Sequence, residues 1–297
     1  MNKTTKATIA ALLGHSIFGF SFLFSKVALN IVSPYVLLSV RFIVAFLVLN
    51  LLLCTGKFRI DLKGKPVKYL MLLGLLQPVI YFICESYGIS MTTAAFSGVM
   101  IGLVPVVGLV LGVLFLKEKC TFFQVICTLM SVVGVSMTST GGFGTVSWAG
   151  FLFLLGAVLS GVLFTILNRS ISDRFSAFER TYVMFALGSV FFTAIALVEN
   201  GGKVSALIAP IAVPEFLVSV IYLAVVSSVC AFLLINYSVN YVSAGKVMIF
   251  ANFTTVISVL AGIFIMGDRF APVQLLGIVI ITLSVFGVSY PQKAETR

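Results

Sequence analysis

Hydrophobic residues along this chain fall into ten long runs, at about 8–29, 34–54, 68–89, 94–116, 121–139, 147–168, 180–198, 214–236, 242–266 and 271–290, separated by short polar connectors. Each run meets the roughly 20 apolar residues that a helix needs to cross a bilayer core. None shows the apolar/polar alternation of a membrane-barrel strand, so the pattern predicts an all-α integral membrane protein of ten transmembrane helices. Pro34, Pro214 and Pro272 stand where helices start, whereas Pro78 and Pro105 lie inside runs and predict hinges. The longest connectors, 55–67 and 199–213, leave no room for a separate soluble domain.

The runs are not independent. Adding 150 takes Tyr87 to Tyr237, Ala94 to Ala244, Val106 to Val256, Gly112 to Gly262 and Gln124 to Gln274 without a gap. The same step takes Glu118-Lys119 to Asp268-Arg269. The stretch Thr93–Val135 is therefore repeated, which points to an internal duplication. After the acid-base pair, Thr121 and Gln124 have capping-box spacing in one copy, and Pro272 suits a first helical turn in the other. Residues 1–140 and 141–297 are the expected repeats. Five helices in each is an odd number, so the two copies must enter the membrane with opposite polarity.

Composition agrees with the pattern. Hydrophobic residues make up 60% and charged residues 9% of the chain, and its mean hydropathy is +1.19, values foreign to a soluble domain. The net charge of +10 sits in connectors rather than on a face with interleaved aromatics, so no nucleic-acid partner is indicated. With the N-terminus in the cytoplasm, 15 Lys and Arg side chains, among them Lys3, Lys57, Arg169 and Arg180, fall inside, and Lys26, Lys203 and Arg269 fall outside. The positive-inside rule therefore predicts both termini in the cytoplasm. Residues 1–25 have a leader-like pattern without a small-residue cleavage site and are read as the first membrane helix. The five cysteines have no paired spacing, and no metal or cofactor site is expected.

Polar residues inside apolar spans are the candidates for function. Gln77, Tyr81 and Glu85 recur every fourth residue and form one stripe on helix 3. Glu85 suits either a cavity wall or an interfacial cap. His15, the only histidine, shares a helix 1 face with Phe18, Phe22 and Lys26. It suits either proton coupling, alone or with Glu85, or a neutral interhelical hydrogen bond. Lys26 is expected to snorkel outward. Arg41 lies deeper and is read first as structural, paired with a carboxylate or with interhelical carbonyls. Helix 4 carries Gly98, Gly102, Pro105, Gly108 and Gly112 where helix 9 carries Met248, Asn252, Thr255, Ser258 and Gly262. Asn252 is thus a substrate contact or interhelical glue. Ser227 is the repeat partner of Gln77, and Ser160 and Phe164 align with Phe18 and Phe22.

Several classes are excluded or disfavoured. There is no Gly-x-x-x-x-Gly-Lys-Ser/Thr loop to take a nucleotide. The nine acidic residues lie mostly in connectors and form no enzyme-like constellation. No selectivity filter or ring of like charge marks a channel, although a facilitator stays open as an alternative. Inverted repeats instead fit a secondary carrier with its site near the midplane.

Phe18-Gly19-Phe20-Ser21-Phe22 leading to Lys26, Pro34, Arg41-Phe42, the Tyr87–Ala95 segment with Pro105, and the paired ends Leu116-Lys117-Glu118 and Met266-Gly267-Asp268 together resemble the ten-helix, EamA-like branch of the drug/metabolite transporter superfamily. The resemblance covers essentially residues 8–290. It implies an inner-membrane carrier of a prokaryote, a 5+5 inverted repeat, and a central cavity among helices 1, 3, 4, 6, 8 and 9. It also implies helices 5 and 10 at the periphery, often in a homodimer contact, and small-molecule substrates such as amino acids, other metabolites or drugs, often moved outward. Phe18-Gly19 departs from the Trp-Gly common in that family.

Overall fold

The computed structural model describes residues 3–116, 121–139, 147–242, 247, 250–267 and 271–289. Among these the secondary structure is helical, with no strand. Six helices are long and apolar enough to cross a membrane: α1 (Lys3–Leu29), α2 (Pro34–Cys54), α3 (Lys68–Ser90), α7 (Trp148–Ser170), α8 (Ala177–Glu199) and α10 (Pro214–Ser238). Between them lie α4 (Ala94–Ile101), α5 (Val104–Leu116), α6 (Phe122–Ser139) and a short α9 (Ser205–Ile208). Then follow α11 (Ala251–Ala261), continued by a π-helical Gly262–Met266, and α12 (Pro272–Ser289).

Local chemistry sets the helix starts. Ser33 accepts from the Val36 N–H ahead of α2, with Pro34 in the first turn. Ser176 and Glu179 cap each other's backbone N–H groups at the head of α8 in a complete capping box. Helix α6 begins directly after Thr121 and α12 at Pro272, where the repeated punctuation placed them. The Gln124 side chain that would complete the first of those boxes lies outside the described residues.

Three apolar runs differ from their simplest reading. The 94–116 run is two helices broken at Gly102-Leu103, because Pro105 sits in the first turn of α5 and its ring cannot continue the preceding helix. Helix α3 widens to a π-helical stretch over Leu75–Ile80, and α10 does so over Tyr222–Cys230. In the 242–266 run the described Val247 is helical, Phe250 is a turn, and α11 continues from Ala251. The 199–213 connector also folds, into α9 and a 3₁₀ turn at Ala209–Ala212.

Packing joins the two halves of the chain. Helix α6 pairs with α12, α2 with α8, α3 with α7, and α1 with both α10 and α11; α4 packs on α11. Lys65 and Glu179 form an ion pair of 2.9 Å where α3 and α8 begin. Ser33 donates to Glu199 (2.6 Å) where α8 ends. Many large apolar side chains, such as Leu51, Leu152, Val190 and Leu283, are left exposed along the helices, as a lipid-facing surface requires.

Two cations close helix ends in the same manner. At the end of α1 the Lys26 ammonium donates to the carbonyls of Ile89, Ser90 and Thr92, where α3 stops. Its Nζ is thus bound to a helix C-terminus rather than merely reaching outward. At the end of α7 Arg169, 143 residues further on, donates to the carbonyl of Val239, 150 residues beyond Ile89, at 2.6 Å. Cations at helix C-termini meet both the unpaired carbonyls and the negative end of the helix dipole. Arg169 lies near the head of α8 and Lys26 beside the far end of α3, so the two clamps occupy opposite ends of the bundle.

Candidate functional site

The site begins on α3, where the π-helical stretch relieves the regular ladder and Gln77 takes extended angles (φ −146°, ψ 116°). π-Helical turns often occur at functional positions. Four residues on, the Tyr81 hydroxyl donates to Glu85 Oε1 at 3.0 Å, and both side chains are buried. Gln77, Tyr81 and Glu85 all face one cavity of about 80 Å³. A single buried water needs only roughly 10–15 Å³ on this measure, so the space holds a cluster of waters or a small solute.

His15, Phe18 and Phe22 of α1 form a second wall. His15 Nδ1 stands 3.4 Å from Thr254 Oγ1 of α11, whose hydroxyl donates to the His15 carbonyl at 2.9 Å. His15 Nε2 is buried at the cavity wall with no hydrogen-bond partner among the described residues, and the backbone of Val247 stands beside the ring. Histidine thus bridges α1 and α11 through Nδ1.

Arg41 is the residue whose place the sequence reading missed. It is 2% exposed and borders the cavity. Its Nε donates to Ser228 Oγ at 2.9 Å and its Nη2 to Ser227 Oγ at 3.3 Å, on the π-helical stretch of α10. The guanidinium carbon lies 4.3 Å from the centroid of Phe82, cation–π range. The signal was present: an arginine in an apolar span is functional by default. Its partners lie 187 and 186 residues away, which spacing along one helix does not reveal.

The second half supplies Phe164 and Thr165 from α7, Phe232 and Ile235 from α10, and Ala251 and Thr254 from α11. The ring of Phe232 lies 5.3 Å from that of Phe18, 6.1 Å from Phe82 and 6.3 Å from Phe164. Most of these positions are related. Phe82/Phe232, Glu85/Ile235, Ile101/Ala251 and Val104/Thr254 are pairs 150 apart, and Phe18/Gly161, Ser21/Phe164 and Phe22/Thr165 are pairs 143 apart, one residue on from the register that aligns Phe18 with Ser160 and Phe22 with Phe164. The cavity is thus walled by matching positions of the two halves. Its chemistry is unequal, because His15, Arg41, Gln77, Tyr81 and Glu85 all come from the first half.

Other expected residues fall beside the cavity. Ser227 is wholly buried and holds Arg41, and Ser160 donates to the Leu76 carbonyl of the π-helical stretch at 2.7 Å. Both stand one layer behind the lining. The Asn252 side chain lies outside the described residues, as do Glu118, Lys119, Asp268 and Arg269. Pro78 sits within the π-helical stretch and Pro105 at the start of α5. Among the described residues, no three His, Cys, Asp or Glu side chains gather as a metal would need.

The model of a family described as "EamA-like transporter family" matches residues 5–140 and again 147–290. The uncharacterized transporter YcxC of Bacillus subtilis strain 168 is 31% identical over 301 residues, covering 100% of this chain and 96% of that protein. The uncharacterized transporter YetK of the same organism is 27% identical over 294 residues, covering 96% and 87%. A solved crystal structure with 13% sequence identity superposes with a TM-score of 0.70 over 95% of this chain and 96% of its own, a likeness of fold alone.

Proposed function

The chain belongs to the EamA-like transporter family, and from that membership we propose a secondary carrier that moves a small metabolite or drug-like solute by alternating access. The observation that carries this reading is the cavity walled by matching positions from both halves. Two five-helix repeats, inverted with respect to each other, rock about that cavity and expose it to one side at a time. The paired clamps of Lys26 and Arg169 at opposite ends of the bundle support the inversion. The protein is a multi-pass membrane transporter, and its basic connectors support a cytoplasmic-membrane location with both termini inside. Outward net movement is supported by the exporting members that the sequence resembles.

In this reading Tyr81, Glu85, Gln77 and His15 contact the solute directly, and Arg41 joins them. Glu85 and His15 are the groups for proton coupling. Pro105 and the π-helical stretch around Pro78 give α4, α5 and α3 places to bend. Counterflow into proteoliposomes, across amino acids and other small metabolites, tests the reading. Saturable counterflow is expected, with Tyr81→Ala lowering it about tenfold or more through loss of a charge-assisted hydrogen bond at unchanged protein level. A steady single-channel current in planar bilayers without counterflow would replace the carrier by a channel.

A further inference from the structure

The connector between α2 and α3 is docked on the end of the bundle, and its exposure alternates from Lys57 to Lys63. Lys57, Arg59, Asp61 and Lys63 are exposed, while Phe58, Ile60 and Leu62 are half-buried and pack on the hydrophobic core. A period of two is that of extended backbone lying flat, with one row of side chains turned down and the other up. Helix α8 pins the lower row. Phe58 stacks on Phe178 at 4.5 Å, and the Asp61 N–H donates to Glu179 Oε1 at 3.0 Å. Lys65 reaches the same carboxylate at 2.9 Å and lies over the Phe175 ring. Glu179 is itself buried, so the connector is a fixed strap that ties α2 and α3 to the head of α8.

The upper row is basic. Residues 55–68 hold five Lys and Arg and one acid. That acid, Asp61, accepts from the Lys63 N–H at 3.2 Å, and Lys65 is taken by Glu179. None of Lys57, Arg59, Lys63 and Lys68 is ion-paired among the described residues. Exposed apolar side chains flank this face within about one helical turn: Leu51 before it on α2, and Met71 and Leu72 after it on α3. Fixed cations at the rim of a lipid-facing apolar surface match a molecule with an anionic head and acyl tails. We propose that the strap is a binding face for anionic phospholipids, with headgroup phosphate oxygens on Lys57, Arg59 and Lys63 and acyl chains along Leu51, Met71 and Leu72. The basic connectors assign this end to the cytoplasm, where anionic lipids give the leaflet its negative surface potential. An acidic soluble protein would answer the cations and leave the flanking apolar side chains out of account. Because the strap joins three helices, headgroups bound there stabilise the folded chain and are read as a rise in Tm.

Thermal unfolding of the full chain in dodecyl maltoside micelles, titrated with dioleoyl-phosphatidylglycerol or dioleoyl-phosphatidylcholine, tests this. The expected result is a Tm about 2 °C or more higher with phosphatidylglycerol than with phosphatidylcholine, a difference that shrinks as salt rises from about 0.05 to about 0.5 M. Lys57→Gln/Arg59→Gln/Lys63→Gln should need about tenfold or more phosphatidylglycerol for the same rise, since each cation near a surface contributes about fivefold. Arg59→Gln alone should need about fivefold more, and it decides should the triple variant fail to fold. Lys3→Gln/Lys6→Gln/Lys203→Gln removes the same charge from exposed positions elsewhere and should titrate as the wild type does. Equal stabilisation by the two lipids, or equal losses in the two triple variants, would overturn the proposal. So would inorganic phosphate or poly-L-glutamate matching phosphatidylglycerol, which would assign the face to a free oxyanion or to an acidic protein.

Discussion

Arg180 and Arg41 are two buried arginines with opposite accounts. Arg180 is fully buried, and each of its five N–H groups faces a neutral oxygen: the Ser176 carbonyl, the Asn168 carbonyl and side chain, the Asn236 carbonyl and Asn240 Oδ1. Asn168 and Asn236 are themselves bonded to each other at 2.7 Å. Nothing is left over to recognise a solute, so Arg180 fastens α7, α8 and α10. Arg180→Met should destabilise the folded chain by about 3 kcal/mol or more, since several carbonyls and amides lose a charged donor together. That would lower Tm in detergent by roughly 6 °C or more, and Arg180→Lys should recover only part because an ammonium lacks the planar fork. An unchanged Tm would show that the network is dispensable. Arg41, which makes two hydrogen bonds against Arg180's five among the described residues and borders the cavity, should show the reverse balance: a smaller loss of Tm and a larger loss of counterflow. The Gln77-Tyr81-Glu85 stripe was legible in the sequence because residues four apart share a helix face. Arg41 was not, since its hydroxyl partners come from the other half of the chain, and Arg180, read as a connector cation, bonds largely to backbone oxygens that any residue could supply.

Helices α4 and α11 meet more closely than ordinary helices can. A Cβ added at Gly98 would collide with Ser258, and one added at Gly102 with Thr255 Oγ1. In the wild type Thr255 Oγ1 donates to the Gly98 carbonyl at 3.0 Å. Small residues that let backbones approach, joined by hydroxyl bonds, are the usual glue between membrane helices. Gly102→Ala should therefore cost about 1–3 kcal/mol through overpacking. Thr255→Ala should cost less alone and should reduce the penalty of Gly102→Ala in the double variant, because the colliding atom is gone. Strict additivity of the two losses in thermal unfolding would contradict this contact. The glycine series of the fourth run and its break at Pro105 were visible in advance, since both follow from single residue types. The π-helical stretches were only half visible. They fall at matching places in α3 and α10; Pro78 marks the first, since its ring and missing N–H disrupt the regular ladder, whereas no proline stands in Tyr222–Cys230 to mark the second.

The whole molecule rests on the relation between its halves. A gap-free repeat at 150 residues was legible because it needs only residue identity, and the family model matches the two stretches separately. The repeat places Phe82 opposite Phe232 and Glu85 opposite Ile235 at the cavity, so the duplication kept the shape while the polar groups remained on one side. In the proposed carrier, a symmetric scaffold with an asymmetric lining lets one set of bends serve two access states. The central claim is that the two halves are inverted, and Asn30 and Asp173 test it directly. They are exposed turn residues 143 apart, following α1 and α7 respectively. With the native cysteines replaced, Asn30→Cys and Asp173→Cys variants are treated separately in intact cells with a membrane-impermeant maleimide. The account predicts labelling of Asn30→Cys from outside and labelling of Asp173→Cys only after the membrane is opened. Labelling of both from the same side would contradict it.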